Sequence, residues 1–403
     1  MVKRCYKMKV KYENTVVLGI LNLPKIYDLY SFSEEIGLST TIIYLLSKKT
    51  DRYYNTIHIP KKKKGRTRQI DIPSFSMRIV QEWIKNKILD SIPISDSAMA
   101  FRKGKKYGIK KNAELHKNNQ YILKLDFENF FSNINKEKVF YIFKSIGYNN
   151  TISDILTNIC TYNKSLPQGA ITSPSISNIV CKMLDSRLEG LSNKRNITYS
   201  RYADDLIFSS NDEVLLKRTT KVIFDIINDE GFYINKEKIR FIYPQMRKSI
   251  TGLLIAENRV VVPKEMKRKV RAMIHNMIAS ADYTDIDKVK GYIAYISGIE
   301  SEYIEKVREY VNKMIEKEQY KVFDDVVTEY NKNKLLKGTE DMELLPIGSC
   351  IEEDELGFYS QDFAEDYYEE RIEFLQEKYP EKVKKLSITY KEANSENNEE
   401  LLI

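Results

Sequence analysis

Two aspartates stand side by side in Tyr202-Ala203-Asp204-Asp205, between two short runs of residues that favour extended backbone. Asn196-Ile197-Thr198-Tyr199 precedes them and Leu206-Ile207-Phe208 follows. β-Branched and aromatic side chains suit a pleated surface, so both runs read as strands that meet at a tight acidic turn. Such a hairpin carries two neighbouring carboxylates at its tip, and each raises the pKa of the other unless a cation lies between them. A solvated turn is one outcome. The other is a bound divalent ion, since hard carboxylate oxygens suit Mg²⁺, which is held by one or two carboxylates together with substrate phosphates.

A third carboxylate bears on that choice. Tyr121-Ile122-Leu123-Lys124-Leu125 is an apolar strand that delivers Asp126 at its end, ahead of Phe127-Glu128-Asn129-Phe130-Phe131. Phosphoryl transfer with two ions ~3.5–4 Å apart needs an acidic cluster of this kind. Between the acidic elements, Ser173 as N-cap and Pro174 at the first position predict a helix over 173–191. Its packing face holds Ile176, Val180, Met183, Leu184, Leu188 and Leu191. A second helix is predicted over 217–230, stopped by Gly231, with residues 232–238 leading into a further strand. The alternation describes an antiparallel sheet backed by helices on one face, an α+β layer.

Upstream, residues 1–50 read as helical. Ser31-Phe32-Ser33-Glu34 has the spacing of a capping box, and Gly37 separates it from the apolar run 40–46. Residues 53–60 and 69–73 alternate as strands around Lys61-Lys62-Lys63-Lys64-Gly65-Arg66-Thr67-Arg68. That loop is either simply solvated or a hand for polyphosphate. Helical spacing returns at 77–92 through Ile79, Val80, Trp83, Ile84 and Ile88.

At 403 residues and 42% apolar, the chain can bury a sizeable core and predicts two to four structural units. Residues 320–403 hold 10 Lys and Arg against 22 Asp and Glu, leaving 55 against 35 on residues 1–319. A basic body with an acidic end points to a polyanion partner for the body. The cysteines Cys5, Cys160, Cys181 and Cys350 form no CxxC pair, which argues against a zinc site or a disulfide framework and for a reducing cytoplasm. The apolar run 16–23 behind a basic start is too short for a secretory leader, and no stretch approaches the ~20 apolar residues of a membrane span.

Taken together, these motifs resemble those of reverse transcriptases, and within them the bacterial retron type. The resemblance rests on Arg68-Gln69-Ile70, Asp126 with Phe131, Pro167-Gln168-Gly169 with Ser173-Pro174 and Asn178, Tyr202-Ala203-Asp204-Asp205, Gly231-Phe232 with Asn235 and Lys238, and Thr251-Gly252-Leu253. The retron character rests on Asn112-Ala113-Glu114-Leu115-His116 and on Val260-Val261-Val262-Pro263 before a basic helix.

The resemblance implies a right-hand polymerase. It places N-terminal helices and fingers in 1–110, the palm in 111–243 with a fingers segment inserted at about 140–170, an RNA-binding thumb in 244–319, and an acidic extension in 320–403. It implies an RNA-directed DNA polymerase that copies a cognate non-coding RNA into DNA in a bacterial cytoplasm, in anti-phage defence, extending an RNA 2′-OH or another hydroxyl. Asp126, the Phe127 backbone, Asp204 and Asp205 would hold two Mg²⁺, with Mn²⁺ as a substitute. Arg68 and Lys61, helped by Lys64, would meet the triphosphate of a dNTP, and Gln168 the templating pair. Phe131 would exclude a ribose 2′-OH, although adjacent Phe130 and Phe131 leave a core role open for one of them. Lys238 is a candidate proton donor, with an exposed strand-edge lysine as the equal reading. Tyr202, Ala203, Asn112, His116 and Asn178 are assigned to primer and template. Lys264, Lys267, Arg268, Lys269 and Arg271 would grip RNA phosphates.

The acidic extension departs from the family pattern. It suggests a solvated segment, a dock for a protein effector, or a strap over the basic cleft. Two competing functions remain: a defence-associated enzyme making repetitive or untemplated DNA, and a catalytically idle RNA-binding scaffold.

Overall fold

The computed structural model describes residues 15–60, 67–280 and 282–318. Lys61, Lys64 and the acidic extension lie outside these described residues. The chain divides into two compact units, Met1–Lys267 and Arg268–Ile403. That boundary falls later than the expected start of the thumb at 244.

The first unit opens with three short helices, α1 (Thr15–Ile20), α2 (Leu29–Ile36) and α3 (Thr40–Lys48). The capping box of α2 is not the one read from the sequence. Asp28 is the N-cap, its carboxylate accepting from the Ser31 N–H at 2.8 Å while Ser31 Oγ accepts from the Asp28 N–H at 3.0 Å. Asp28 supplies the better acceptor three residues earlier, so Ser31 becomes the third helical residue. Gly37 ends α2 with φ 72, as expected.

Strands β1 (Tyr54–Pro60) and β2 (Thr67–Pro73) pair antiparallel, with Pro60 opposite Thr67. Helix α4 (Phe75–Lys87) follows, capped by Ser74, then α5 (Gly108–Leu115) and β3 (Tyr121–Asp126). Helices α6 (Lys136–Ser145) and α7 (Asn150–Cys160) precede α8 (Ser173–Val180) and α9 (Lys182–Asn193). The single helix expected over 173–191 is therefore two, broken at Cys181, and Thr172 rather than Ser173 is the N-cap. Ile176, Leu184 and Leu188 are fully buried, but Met183, just past the break, is left 52% exposed.

Strands β4 (Thr198–Tyr202) and β5 (Asp205–Ser210), helix α10 (Glu213–Asp229) and β6 (Arg240–Ile242) complete an antiparallel sheet of order β4-β5-β3-β6. Residues of a strand alternate between faces. One face carries Tyr199, stacked on Phe208 with ring centroids 4.8 Å apart, and is backed by α9 and α10. The expectation of helices on one face alone needs correction, because α5 packs on β4 from the other side through polar bonds to Ser200 and Ser209. Beside α5 sits a second antiparallel sheet, β7 (Lys248–Ile250), β8 (Leu253–Ala256) and β9 (Arg259–Val261).

Helix α11 (Lys264–Ser280) crosses the boundary between the units. In the second unit, α12 (Ile286–Ile299) and α13 (Tyr303–Glu318) follow, burying Val289, Ile293, Ile296, Ile304 and Val307. No helix among the described residues is long and apolar enough to cross a membrane.

Candidate active site

Tyr202 pairs with Asp205, which leaves Ala203 and Asp204 as a two-residue turn. Ala203 has φ 55 and is fully buried. Tight hairpins need positive φ, and a small residue meets that need at a cost of about 1–3 kcal/mol when it is not glycine. The sheet sets the rest of the geometry. Asp126, last in β3, lies opposite Asp205, first in β5. The next residue, Phe127, donates its N–H to the Asp204 carbonyl at 3.0 Å, and Asn235 donates to the Asp126 carbonyl at 2.8 Å. Three carboxylates thus gather at one end of two central strands.

Their charge is under-neutralised. Burial first, and then Asp205 and Asp126, push the Asp204 carboxyl up to about 7. Burial also raises Asp205, with Asp126 adding to it, while Lys124 and Lys238 pull the other way. Both side chains keep some solvent exposure, so the burial that matters is the depth of protein around them rather than occlusion. Lys238 Nζ donates to both Asp126 oxygens, at 2.9 and 2.8 Å. Burial opposes that ammonium, but the bonds and the three negative neighbours outweigh it and hold the lysine above its ordinary pKa.

The donor set fits divalent ions: hard carboxylate oxygens only, in mutual repulsion, with an ammonium standing where positive charge is wanted. With Asp126 turned onto Lys238, no group of three or more His, Cys, Asp or Glu among the described residues is arranged to hold an ion.

Behind the turn lies a second, fully buried charge cluster. Arg201, 0% exposed, forks onto Asp185 of α9 through Nε at 2.8 Å and Nη2 at 2.7 Å. Its Nη1 donates to Asn178 Oδ1 at 3.1 Å and to the Ala203 carbonyl at 3.2 Å. Tyr199 Oη donates to Asp185 at 2.8 Å, and Asn178 Nδ2 to the Ala100 carbonyl at 2.9 Å.

On the opposite face, burial pushes His116 down to about 3, so its ring is neutral. Asn119 Nδ2 donates to Ser209 Oγ, and Ser200 Oγ donates to Asn112 Oδ1 at 2.6 Å. Ser209 is then left to donate to His116 Nδ1 at 2.6 Å, and His116 Nε2–H to donate to Ser200 at 2.7 Å. Within this network Asn112 Nδ2 ends without a partner.

These two networks contain three of the residues assigned to primer and template: Asn112, His116 and Asn178 are all 0% exposed and hydrogen-bonded within the protein. Tyr202 is partly exposed beside the turn, and burial raises its hydroxyl to about 12. Ala203 is buried with its carbonyl turned to Arg201.

Among the other predicted residues, Arg68 is half-buried on β2 opposite Ile59. The loop carrying Gln168 is tied to the same strand by the Asp71 N–H donating to the Gln168 carbonyl at 2.8 Å. Gly169 makes this possible: at φ 131, a Cβ there would lie 2.7 Å from the Asp71 carbonyl oxygen. Phe130 is buried in a stack with Phe127, centroids 5.3 Å apart, while Phe131 is half-buried. On α11, Lys264, Arg268 and Arg271 are exposed, Lys267 and Lys269 half-buried, and Lys269 Nζ sits 5.5 Å from the Tyr292 ring centroid.

Arg201, Asp185 and Lys124 were not among the expected site residues. A signal existed for the first two, because Asp185 sits beside Leu184 and Leu188 on an apolar helix face and so demands a buried cation.

Residues 59–267 match the family described as reverse transcriptase (RNA-dependent DNA polymerase). The chain is 33% identical over 308 residues to the retron Ec86 reverse transcriptase of Escherichia coli, covering 76% of this chain and 95% of that protein. It is 28% identical to the retron Mx65 reverse transcriptase of Myxococcus xanthus, covering 64% of each chain. With the retron Ec83 reverse transcriptase of Escherichia coli it shares 30% identity, over 65% of this chain and 88% of that protein.

Proposed function

The chain belongs to the reverse transcriptase (RNA-dependent DNA polymerase) family, in its retron-type branch, and we propose that it copies a cognate structured non-coding RNA into DNA at the Asp126, Asp204 and Asp205 cluster. The observation that carries this reading is the meeting of Asp126 and Asp205 as strand partners beneath a turn that presents Asp204, with too little positive charge to balance them.

In this reading β1, β2, α6 and α7 belong to the fingers, the four-stranded sheet is the palm, and the thumb is 244–319, which includes β7 to β9 and α11 to α13. Asp126, Asp204, Asp205 and the Phe127 backbone hold two Mg²⁺, or Mn²⁺ in their place. When bound, the ions lower the pKa of the primer hydroxyl and neutralise charge on the phosphates. The chain's own residues do the rest. Arg68 forks onto triphosphate oxygens, which a planar guanidinium matches in geometry. The Phe131 ring excludes a 2′-OH by size, and Gln168 lies against the templating pair. Lys238, held protonated by its carboxylate neighbours, gives a proton from Nζ to the leaving pyrophosphate. The exposed Lys264, Arg268 and Arg271 grip RNA phosphates, each contact adding to the salt dependence of binding. Residues 320–403 dock a protein effector, and the system acts against phage.

Sequencing the nucleic acid that co-purifies with the full chain, beside an Asp204→Asn/Asp205→Asn chain, tests the proposal. A DNA copy joined to one RNA species, present only with the parental chain, is the expected result. Repetitive or untemplated DNA would select the competing polymerase reading. DNA that persists in the double variant would sink the site assignment.

A further inference from the structure

The turn that carries Asp204 is held by donors from outside itself. Ala203 lies at φ 55 without being glycine, a conformation that persists only where the surroundings over-determine it. Each turn residue has its carbonyl engaged: Asp204 by the Phe127 N–H at 3.0 Å, and Ala203 by Arg201 Nη1 at 3.2 Å. The first bond belongs to the sheet. The second comes from a side chain whose direction is locked, because Nε and Nη2 both go to Asp185 at 2.8 and 2.7 Å and Nη1 also reaches Asn178 at 3.1 Å. A guanidinium can serve three partners in one plane, whereas a lysine ammonium paired with Asp185 has no fixed fork with which to reach Ala203 as well.

Asn178 lies on α8, which begins just beyond the Pro167-Gln168-Gly169 loop, where Ser173 Oγ donates to the Pro167 carbonyl at 2.7 Å. One side chain therefore anchors the acidic turn to the helix that follows the loop. Asp185 balances the Arg201 charge at 0% exposure of both side chains, so Arg201 does not serve to neutralise the carboxylates at the site.

We propose that Arg201 is a positioning residue for the Asp204 and Asp205 pair, acting through its bond to the Ala203 carbonyl and oriented by Asp185 and Asn178. The proposal rests on the polymerase reading above. It requires that loss of the bond loosen the carboxylate geometry, weakening metal binding and turnover while leaving nucleotide affinity almost unchanged. Partners that orient metal ligands typically alter affinity or activity by about 10–100-fold.

The experiment uses the full-length chain and its Arg201→Lys, Ala203→Gly, Arg201→Lys/Ala203→Gly and isosteric Asp185→Asn variants. Mn²⁺ binding without nucleotide is followed by electron paramagnetic resonance, and dTTP incorporation on poly(rA)·oligo(dT) gives kcat and KM. Arg201→Lys should bind Mn²⁺ about tenfold more weakly and lose about 10–100-fold in kcat, with KM for dTTP moving by less than about twofold. Glycine adopts positive φ without steric cost, so adding Ala203→Gly should recover most of the loss. Asp185→Asn, which keeps one prong of the fork, should shift Mn²⁺ binding in the same direction by less than about tenfold, and it reads the proposal out even if Arg201→Lys fails to fold.

Unchanged Mn²⁺ binding in a folded Arg201→Lys or Asp185→Asn chain overturns the proposal. So does a loss that Ala203→Gly leaves untouched, which marks Arg201 as ordinary core. A parental chain that binds no Mn²⁺ overturns the metal reading beneath it instead.

Discussion

Two clusters of carboxylate and cation meet at one hairpin, one through Arg201 and the other through Asp204 and Asp205, and they have opposite characters. Arg201 and Asp185 are fully buried, bidentate and surrounded by Tyr199 and Asn178, so every strong donor and acceptor has a partner. At Asp126, Asp204 and Asp205 the negative charge exceeds the positive, and the nearest ammonium, Lys238, keeps 56% of its side chain in solvent. The same chemical ingredients give a strut where the charges close and a reactive centre where they do not. Satisfied charge is a structural element; unsatisfied charge is poised to take up something else.

The sharpest break in this comparison comes from deleting one partner in each cluster. Asp185→Ala leaves a guanidinium buried without its counter-ion and should cost about 3–5 kcal/mol in urea unfolding. Asp204→Asn should do the reverse, taking polymerisation to background while raising the thermal midpoint, because it removes a repulsive charge. If both variants were destabilised alike, the contrast between the clusters would be lost.

Acidity sharpens the comparison next. Asp204 moves from an ordinary 3.8 up to about 7 on folding, so its protonated form favours the folded state. That contribution is complete below about pH 4 and is lost as pH rises towards 7. Added Mg²⁺ needs the carboxylate, so it should raise the melting temperature more at pH 8 than at pH 6, with protons released on binding. Asp204→Asn should flatten this difference; an unaltered pH dependence in that variant would assign the effect to another group.

A smaller effect is expected at Gly169. Gly169→Ala drives a Cβ against the Asp71 carbonyl and should cost about 1–3 kcal/mol of stability, together with a raised KM for dNTP, read by melting and steady-state kinetics. Smallest is Lys238→Gln, since the ammonium is half in water and its ion pair is screened. Its stability should change by no more than about 1 kcal/mol, whereas turnover should fall if Nζ is the proton donor.

Much of the acidic cluster was legible in the sequence, because each aspartate ends or begins an apolar run and a strand boundary fixes where its backbone goes. Alternation located β1 and β2, a continuous apolar run located β3, and β-branched and aromatic runs located β4 and β5. Of the supports, Asp185 left a signal on its apolar helix face, but the network around α5 left none, since a polar residue in a helix looks like surface until its partner is known. His116 and Asn112 lie on or just after α5, yet their partners Ser200 and Ser209 are 84 to 93 residues away. The break at Cys181 left no composition signal, as the apolar spacing continues across it. Ser31 misled because the stronger acceptor, Asp28, stood one turn earlier. Where burial follows from local pattern the chain declares it; where burial follows from distant hydrogen bonding it does not.

The contact at Gly169 has a mechanical consequence. Asp71 is gripped at both ends, its N–H by the Gln168 carbonyl and its carboxylate by Thr56 and Gln69, each at 2.8 Å. The β1–β2 hairpin is therefore no loose flap, and no hinge can lie at Asp71 without tearing that staple. Any displacement of Asp71 relative to the Gln168 loop must break that staple, so β2 and the loop move together, and the close approach that allows it depends on a missing side chain.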